Sequence, residues 1–262
     1  MDKATSTPGA PERHVLLIGI NAYQDKPLEG CVRDCWAMRA YLESLPVPLN
    51  LRMLTASRSS GTPRPIEDPR YWPTYDNVKA WLEDIASRAK PGTLVYIHYS
   101  GHGVRIRPST AIFSLQDGDV ALALLAGDDG DRVRYLRGLE LAHQIKALVA
   151  KGSLVTLVLD CCFSGGFSRI DDTDSIRSLL YDADIDASYP FNPAAEIAAD
   201  ASHSASRDVS MLPNWVINPE GYTVLAACGP HQVAREIEFE SGQRNGALYR
   251  ATLTQWELNG MY

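Results

Sequence analysis

Three short apolar segments constrain the fold of this chain more than any other feature. They read HVLLIGI at residues 14–20, TLVYIHY at 93–99 and SLVTLVL at 153–159. Each segment is apolar on both faces of an extended chain, which is typical of a strand buried on both sides. Amphipathic helical patterns stand between and beside them, at 30–45, 76–89 and 139–150. Strands and helices in this alternation predict an α/β fold with a mostly parallel central sheet covered by helices on both faces.

The rest of the chain predicts one domain with a polar interruption. The 262 residues suffice for one large domain. Weaker patterns predict strands at 49–54, 120–125 and 221–227 and a last helix at 247–258. We expect a disordered leader at 1–13, a single domain at 14–262, and within that domain a linker loop at 168–214, which is rich in Asp, Ser, Ala and Pro.

Charge and composition exclude several classes of function. The net charge of −7 and the pI of about 5.4 argue against a nucleic-acid-binding surface. No apolar run reaches the length of a membrane span, and the polar start MDKATSTPGAPER has no signal core. The five cysteines include the adjacent pair Cys161 and Cys162, a pattern that favours a reducing compartment. We therefore expect a cytoplasmic protein without nucleic-acid or membrane partners, and we expect a monomer.

Two unusual motifs each follow directly on a buried strand. Ser-Gly-His-Gly occupies 100–103, and Asp-Cys-Cys-Phe-Ser-Gly-Gly occupies 160–166. The carboxyl ends of parallel strands meet at one edge of a sheet, so His102 and the two cysteines should lie close together. An imidazole can take the proton of a thiol, whose free pKa is about 8.5. The N–H groups of Gly103 and of the nucleophilic cysteine could then form an oxyanion hole.

Two other interpretations of these motifs are less favoured. His98, His102 and the adjacent cysteines could suggest a zinc site, but their spacing matches no common zinc pattern, and we assign no metal site. A flavodoxin-like binding module would need a glycine-rich phosphate loop after the first strand. That position reads Asn21-Ala22-Tyr23 instead.

At this point the sequence resembles a known family. HYSGHG and LDCCFSGGFSR are similar to the histidine and cysteine blocks of the caspase fold in its metacaspase form, particularly the fungal caspase-domain variants. HVLLIGINAYQDKPLEGCVRDCWAMRAYL resembles the first strand and helix of that family. YTVLAACGPHQVAREIEF and GALYRATL resemble its small-subunit portion. The resemblance covers 14–258 and implies a large-subunit-like part at 14–167, a processing linker at 168–214 and a small-subunit-like part at 215–262.

The resemblance implies a cysteine endopeptidase and selects one cysteine of the pair. Metacaspases usually read Asp-Ser-Cys-His-Ser-Gly around the nucleophile. Aligning that motif makes Cys162 the nucleophile, with His102 as the general base, and puts Cys161 in place of the serine. Phe163 replaces the usual histidine. The alternative is a catalytically silent caspase-like adaptor, against which the intact His102–Cys162 pair argues.

The resemblance also implies a specificity pocket for a basic side chain. In metacaspases the pocket is lined by the Cys and Asp of a G-C-x-x-D motif, the Ser before G-H-G, and the Asp two residues before the nucleophile. The matching residues here are Cys31, Asp34, Ser100 and Asp160. Two carboxylates select a cation, best a guanidinium held by two hydrogen bonds. The implied partners are polypeptide substrates with Arg or Lys before the scissile bond, whereas true caspases cut after Asp.

The linker is where caspase relatives are processed. It carries basic residues in a polar setting, and exposed loops are the usual sites of nicking. We predict a zymogen that cleaves itself autocatalytically after Arg177 or Arg207.

Calcium-dependent metacaspases suggest a cofactor, but the ligand set here is depleted. Asp128 or Asp129 could supply the first acidic ligand. The expected acidic pair falls on 135–138, which includes Arg137, and Arg169 lies near the last ligand position. Calcium takes six to eight oxygen ligands. We therefore expect no required cofactor, although the linker residues Asp171, Asp172 and Asp174 could still supply oxygens.

Overall fold

The structure is a computed structural model that describes residues 11–62, 64–106, 119–127, 130, 132–163, 176–190, 219, 221–229, 232, 234–238, 242–246 and 248. Four α-helices lie in this part of the chain: α1 Cys31–Ser44, α2 Tyr75–Arg88, α3 Gly138–Ala150 and α4 Ala183–Ser188. Its strands are β1 Arg13–Ile20, β2 Asn50–Ala56, β3 Leu94–Ser100, β4 Gly103–Ile106, β5 Asp119–Leu125, β6 Val133–Arg137, β7 Leu154–Asp160, β8 Ser178–Leu179, β9 Tyr222–Ala226, β10 Glu236–Glu238 and β11 Arg244–Gly246.

A five-stranded parallel sheet forms the centre of the molecule, in the order β2-β1-β3-β7-β9. This arrangement confirms the predicted α/β fold with a mostly parallel sheet. The register pairs Ser100 at the end of β3 with Gly19 of β1 on one side and with Asp160 of β7 on the other. Both motif-bearing strands therefore end side by side at the same edge of the sheet.

Alternating residues of the strands point to opposite faces of the central sheet, and helices cover both faces. Val15 and Leu17 of β1 pack with Met38 of α1 in one cluster. Leu16 and Ile18 belong to the larger cluster on the other face, together with the apolar stripes of α2 and α3. Each fully buried apolar side chain contributes roughly 1.5–3 kcal/mol relative to an exposed one. Both faces of the sheet are thus held by the helices that the sequence pattern predicts.

A second, four-stranded sheet stands beside the first, in the order β6-β5-β4-β8. Of its strands, the sequence pattern predicted only the one near 120–125. The other three are short, and β6 reads VRYLR, so none of them has the apolar run of a buried strand. This sheet matters for the site, because β4 continues directly from the histidine motif.

Several boundaries differ from the sequence prediction. The leader was predicted at 1–13, but β1 already begins at Arg13. The Glu12 carbonyl also accepts a hydrogen bond from Leu94 N. The predicted linker loop is ordered where it is described, at 176–190, and contains β8 and α4. The predicted helix at 247–258 lies outside the described residues except for position 248. None of the described helices is long and apolar enough to cross a membrane.

A buried histidine in β3 should make stability depend on pH. Burial lowers the pKa of His98 from 6.5 to about 4. Between these values the unfolded chain binds a proton that the folded chain does not, so stability falls as pH drops from about 7 to 4. The full shift corresponds to roughly 3 kcal/mol. We expect this loss in urea unfolding at pH 7 and pH 4.5, and a flatter pH profile for His98→Leu. An unchanged profile in that variant would assign the acid sensitivity to other groups.

Candidate active site

The two motifs converge on one carbonyl oxygen. Gly103 opens β4, and Cys162 follows the end of β7 by two residues. The backbone N–H groups of Gly103 and Cys162 both donate to the carbonyl oxygen of Arg177, each at 3.1 Å. Two N–H groups aimed at one carbonyl oxygen have the geometry of an oxyanion hole. They are the two donors named by the sequence prediction.

His102 is oriented by a backbone carbonyl in the loop after β1. Its Nε2 lies 2.7 Å from the Lys26 oxygen. Since a carbonyl only accepts, Nε2 carries the proton and Nδ1 keeps its lone pair. The buried Nδ1 has no hydrogen-bond partner among the described residues. Burial lowers the pKa of His102 to about 4, against the opposing effect of the Lys26 hydrogen bond. A neutral imidazole with one unprotonated nitrogen is the form that a general base needs.

The backbone of Lys26 is held in an unusual conformation. Its φ of 52° lies in the left-handed region, and Lys26 is the one non-glycine residue there within the described part of the chain. Such conformations cost about 1–3 kcal/mol each and cluster at functional sites. Here the conformation accompanies the carbonyl that orients His102. The sequence contains no signal for this role, because any residue type supplies a backbone carbonyl.

The adjacent cysteines lie in different surroundings. Cys161 is part of the main hydrophobic core, and burial raises its thiol pKa well above the ordinary value. Cys162 packs in a separate small cluster with Ile176 and Ala234, and its Sγ lies 3.8 Å from the Ala234 oxygen. Cys228, of intermediate exposure, packs against the same cluster. Only Cys162 of the adjacent pair therefore packs beside the chain segment that carries Arg177.

A single arginine fills the predicted specificity pocket. Arg177 is fully buried, as are Ser100, Asp34 and Asp160. Its Nη1 donates to Ser100 Oγ at 2.7 Å and lies 3.1 Å from Asp160 Oδ2, while its Nη2 donates to Asp34 Oδ2 at 2.8 Å. Cys31, the fourth predicted lining residue, is also buried and raises the pKa of the Arg177 guanidinium. The structure thus brings all four predicted lining residues around one cation.

The pocket contains a third carboxylate that the sequence prediction missed. Glu236 Oε1 lies 3.2 Å from Arg177 Nη2 and accepts a hydrogen bond from Gly30 N at 2.7 Å. The Asp34 carboxylate also accepts hydrogen bonds from Asn245 Nδ2 at 2.8 Å and from Gly246 N at 3.0 Å. In the sequence, Glu236 is one of several glutamates at alternate positions of REIEFE, so nothing marks it as buried.

Buried charges of opposite sign stabilise each other in this pocket. Burial raises the pKa of Asp34, and the neighbouring Arg177 acts in the opposite direction. Burial alone lowers the pKa of Arg177, but Cys31, Asp160 and the other acidic groups around it raise it well above the ordinary value. The pocket is therefore complementary to a permanent cation. An apolar or anionic side chain in the same place would leave the carboxylates unpaired.

The chain around Arg177 pairs with neighbouring segments along the site. Arg177 N donates to the Ala234 oxygen at 3.0 Å, and Ile176 forms an antiparallel bridge with Arg235. The sequence prediction placed Arg177 in a polar setting within an exposed linker loop. That prediction was wrong, because Arg177 is among the largest fully buried side chains. Arg207, the other predicted cleavage position, lies outside the described residues.

Of the positions expected to bind calcium, only 135–138 belong to the described residues. Within that described part of the chain, no group of three or more His, Cys, Asp or Glu side chains could hold a metal ion. Arg137 instead forms an ion pair with Asp186 of α4, with 2.5 Å between Nη2 and Oδ1. Asp128, Asp129 and Arg169 lie outside the described residues, and so do the linker residues Asp171, Asp172 and Asp174.

Comparisons with known proteins identify the family and the fold of the chain. The chain is 28% identical over 177 residues to metacaspase-2 of Trypanosoma brucei brucei (65% of this chain, 46% of that protein), and 30% identical over 166 residues to metacaspase-6 of Arabidopsis thaliana (59% and 38%). It spans less than half the length of these relatives. A crystal structure of a Geobacter sulfurreducens protein has the same fold, with a TM-score of 0.60 and 20% identity over 96% of this chain and 84% of that one. The family model of the metacaspase peptidase C14 domain matches residues 13–171. The chain therefore belongs to the metacaspase family.

Proposed function

We propose that the chain is a cysteine endopeptidase that cleaves polypeptides after Arg or Lys, with Cys162 as the nucleophile and His102 as the general base. One observation carries the proposal. Arg177 occupies the acidic pocket while its own carbonyl oxygen accepts hydrogen bonds from Gly103 N and Cys162 N. A basic side chain and the peptide bond that follows it thus lie where a cysteine peptidase would hold its substrate.

In the first half of the proposed reaction, His102 Nδ1 takes the proton of the Cys162 thiol and the sulfur attacks the substrate carbonyl carbon. The carbonyl electron pair moves to its oxygen, which the N–H groups of Gly103 and Cys162 stabilise. Removing one such donor costs about 3–4 kcal/mol in known enzymes. The C–N bond then breaks, His102 returns the proton to the leaving amine, and a thioester to Cys162 remains.

In the second half, water resolves the thioester. His102 accepts a proton from the water, whose oxygen attacks the thioester carbon at the same oxyanion hole. The C–S bond breaks and Cys162 leaves as a thiolate, which recovers its proton from His102. The hydrogen bond from Nε2 to the Lys26 oxygen keeps Nε2 protonated throughout, so Nδ1 remains the atom that exchanges protons.

The same pose supports self-cleavage at a particular bond. If Arg177 is the residue before the scissile bond, the leaving amine is the N–H of Ser178, which begins β8 beside Gly103. The buried Arg177 also excludes any other basic side chain from the pocket. The uncut chain is therefore its own first substrate, and until that bond is cut it is inhibited by its own linker.

Substrate selectivity is tested by substitution in the pocket. Asp34→Asn removes the carboxylate that accepts from Arg177 Nη2, and a charged hydrogen bond of this kind contributes about 1.5–3 kcal/mol. We expect kcat/KM for fluorogenic peptides with Arg before the scissile bond to fall by about 10- to 100-fold. The panel varies only that residue among Arg, Lys and Asp.

The same helix offers a matched control. Glu43→Gln removes an exposed carboxylate of α1, which pairs with Arg39 on the surface, and should leave the panel unchanged. Efficient cleavage after Asp by the unmodified chain would overturn the specificity. If no peptide is cleaved and Cys162 does not react with iodoacetamide, the alternative of a catalytically silent adaptor would be favoured.

A further inference from the structure

The chain beyond Arg177 packs against β4 and β6, on the side of the proposed scissile bond that the leaving amine takes. We call residues 178–189, which read SLLYDADIDASY, the acidic segment. It starts as β8, paired with β4 at Gly103 and Val104, and continues into α4, which packs against β6. A polypeptide bound with its own Arg in the pocket would follow the same path from the same starting point.

An ion pair joins the acidic segment to β6. Arg137 Nη2 lies 2.5 Å from both carboxylate oxygens of Asp186, and the two side chains are only 17% and 13% exposed. The Tyr181 hydroxyl donates to the same carboxylate at 3.0 Å. A partly buried, charge-assisted contact of this kind discriminates between a carboxylate and an amide more strongly than an exposed pair does.

Two further β6 residues contact the segment. The Tyr135 hydroxyl accepts a hydrogen bond from Asp182 N at 3.1 Å. The guanidinium of Arg134 lies over the ring of Tyr189, 4.8 Å from its centroid. We call Arg134, Tyr135 and Arg137 together the β6 exosite. Beside it, a cavity of about 690 Å³ separates part of the acidic segment from the loop that contains Lys26.

We propose that the β6 exosite recognises acidic polypeptide segments downstream of the cleaved residue, and so contributes to substrate selection. Asp186 is the ninth residue after Arg177, so the preferred substrates carry a carboxylate about nine residues beyond the scissile bond. The proposal rests on the proposed peptidase function. It goes beyond that function because the acidic pocket selects only the residue before the bond, whereas β6 selects the sequence that follows it.

The first test compares three peptides on a self-cleaved chain that carries Asp186→Asn, so that the enzyme's own acidic segment no longer competes for Arg137. We call this chain the reference enzyme. Peptide A has an Arg followed by SLLYDADIDASY. Peptide B is identical except that its three Asp are Asn, and peptide C ends in a fluorophore directly after the Arg. We expect kcat/KM for A to exceed that for B by about tenfold at low salt, and the ratio to shrink at 0.5 M salt, because screening weakens partly exposed ion pairs.

Arg137→Gln should bring the ratio of A to B close to one. The exposed Arg88, which pairs with Asp84 on α2, provides the matched control: Arg88→Gln removes the same charge elsewhere and should keep the ratio of the reference enzyme. A ratio near one in the reference enzyme, or an unaltered ratio when Arg137→Gln is added to it, would overturn the exosite. If peptide C is not cleaved either, the proposed function itself is at fault.

A second measurement does not need activity. In the Cys162→Ala chain, hydrogen exchange of residues 178–189 reports how firmly the segment is held. We expect Arg137→Gln to speed that exchange by about fivefold or more, with peptides from β1 and β3 unchanged, and Arg88→Gln to have no effect. Equal exchange in Arg137→Gln and the unsubstituted chain would contradict recognition through this ion pair.

Discussion

Replacing Cys162 with alanine should abolish peptide cleavage, whereas replacing Cys161 with serine should retain most of it. Loss of the nucleophile removes the covalent route altogether, and comparable losses in other peptidases reach about 10⁴-fold or more. Cys161 packs in the main hydrophobic core, whereas Cys162 packs with Ile176, the neighbour of Arg177. We expect kcat/KM for Cys161→Ser within about tenfold of the unmodified chain, a loss of about 1.4 kcal/mol at most.

Alanine variants of the two adjacent cysteines identify the nucleophile most clearly. Cys161→Ala and Cys162→Ala remove the same atoms from adjacent residues, so any general effect on folding can be read from their circular dichroism and unfolding midpoints. Loss of activity in Cys161→Ala with retention in Cys162→Ala would show that the nucleophile is the other member of the pair.

Removing the guanidinium of Arg177 should strongly destabilise the folded chain. Arg177→Gln leaves Asp34, Asp160 and Glu236 buried without their cation. Breaking a buried ion pair by removing one partner costs about 3–5 kcal/mol, because an uncompensated charge stays behind. The measurement is urea unfolding in the Cys162→Ala background, where self-cleavage cannot interfere.

The destabilisation should depend on pH in a definite direction. In this variant Arg177 no longer opposes the burial that raises the pKa of Asp34 above its ordinary value. The folded state then binds more protons than the unfolded state, so the stability of the variant falls as pH rises from 5 to 8. Arg88→Gln, an exposed arginine, should lose less than about 1 kcal/mol at either pH. Equal midpoints for Arg177→Gln and Arg88→Gln would mean that Arg177 does not hold the pocket together.

The sequence was sufficient to predict the sheet and the convergence of its motifs. A long apolar run is enough to predict a buried strand. Parallel strands then bring their carboxyl ends to the same edge of the sheet. The positions of His102 and Cys162 therefore follow from those of β3 and β7. The specificity pocket was predicted from a family motif rather than from pattern, and its four residues do surround one cation.

The rest depended on contacts between distant parts of the chain. Glu236 and Asn245 reach the pocket from β10 and β11, and no local pattern separates them from their exposed neighbours. The burial of Arg177 could not be predicted from its polar surroundings. A weak signal was present in Ile176, Leu179 and Leu180, a short apolar group inside an otherwise polar stretch.

If the chain holds Arg177 in its own active site as a substrate, the bond after Arg177 is cut during incubation, and the intact mass of the protein reports this cut. Because β9 lies beyond the cut and pairs with β7, the two pieces should stay associated until denatured. Under denaturing conditions we predict fragments 1–177 and 178–262 from the unmodified chain and a single intact mass from Cys162→Ala. Identical intact masses for both proteins after long incubation, or cleavage only at another bond, would show that Arg177 is not held as a substrate.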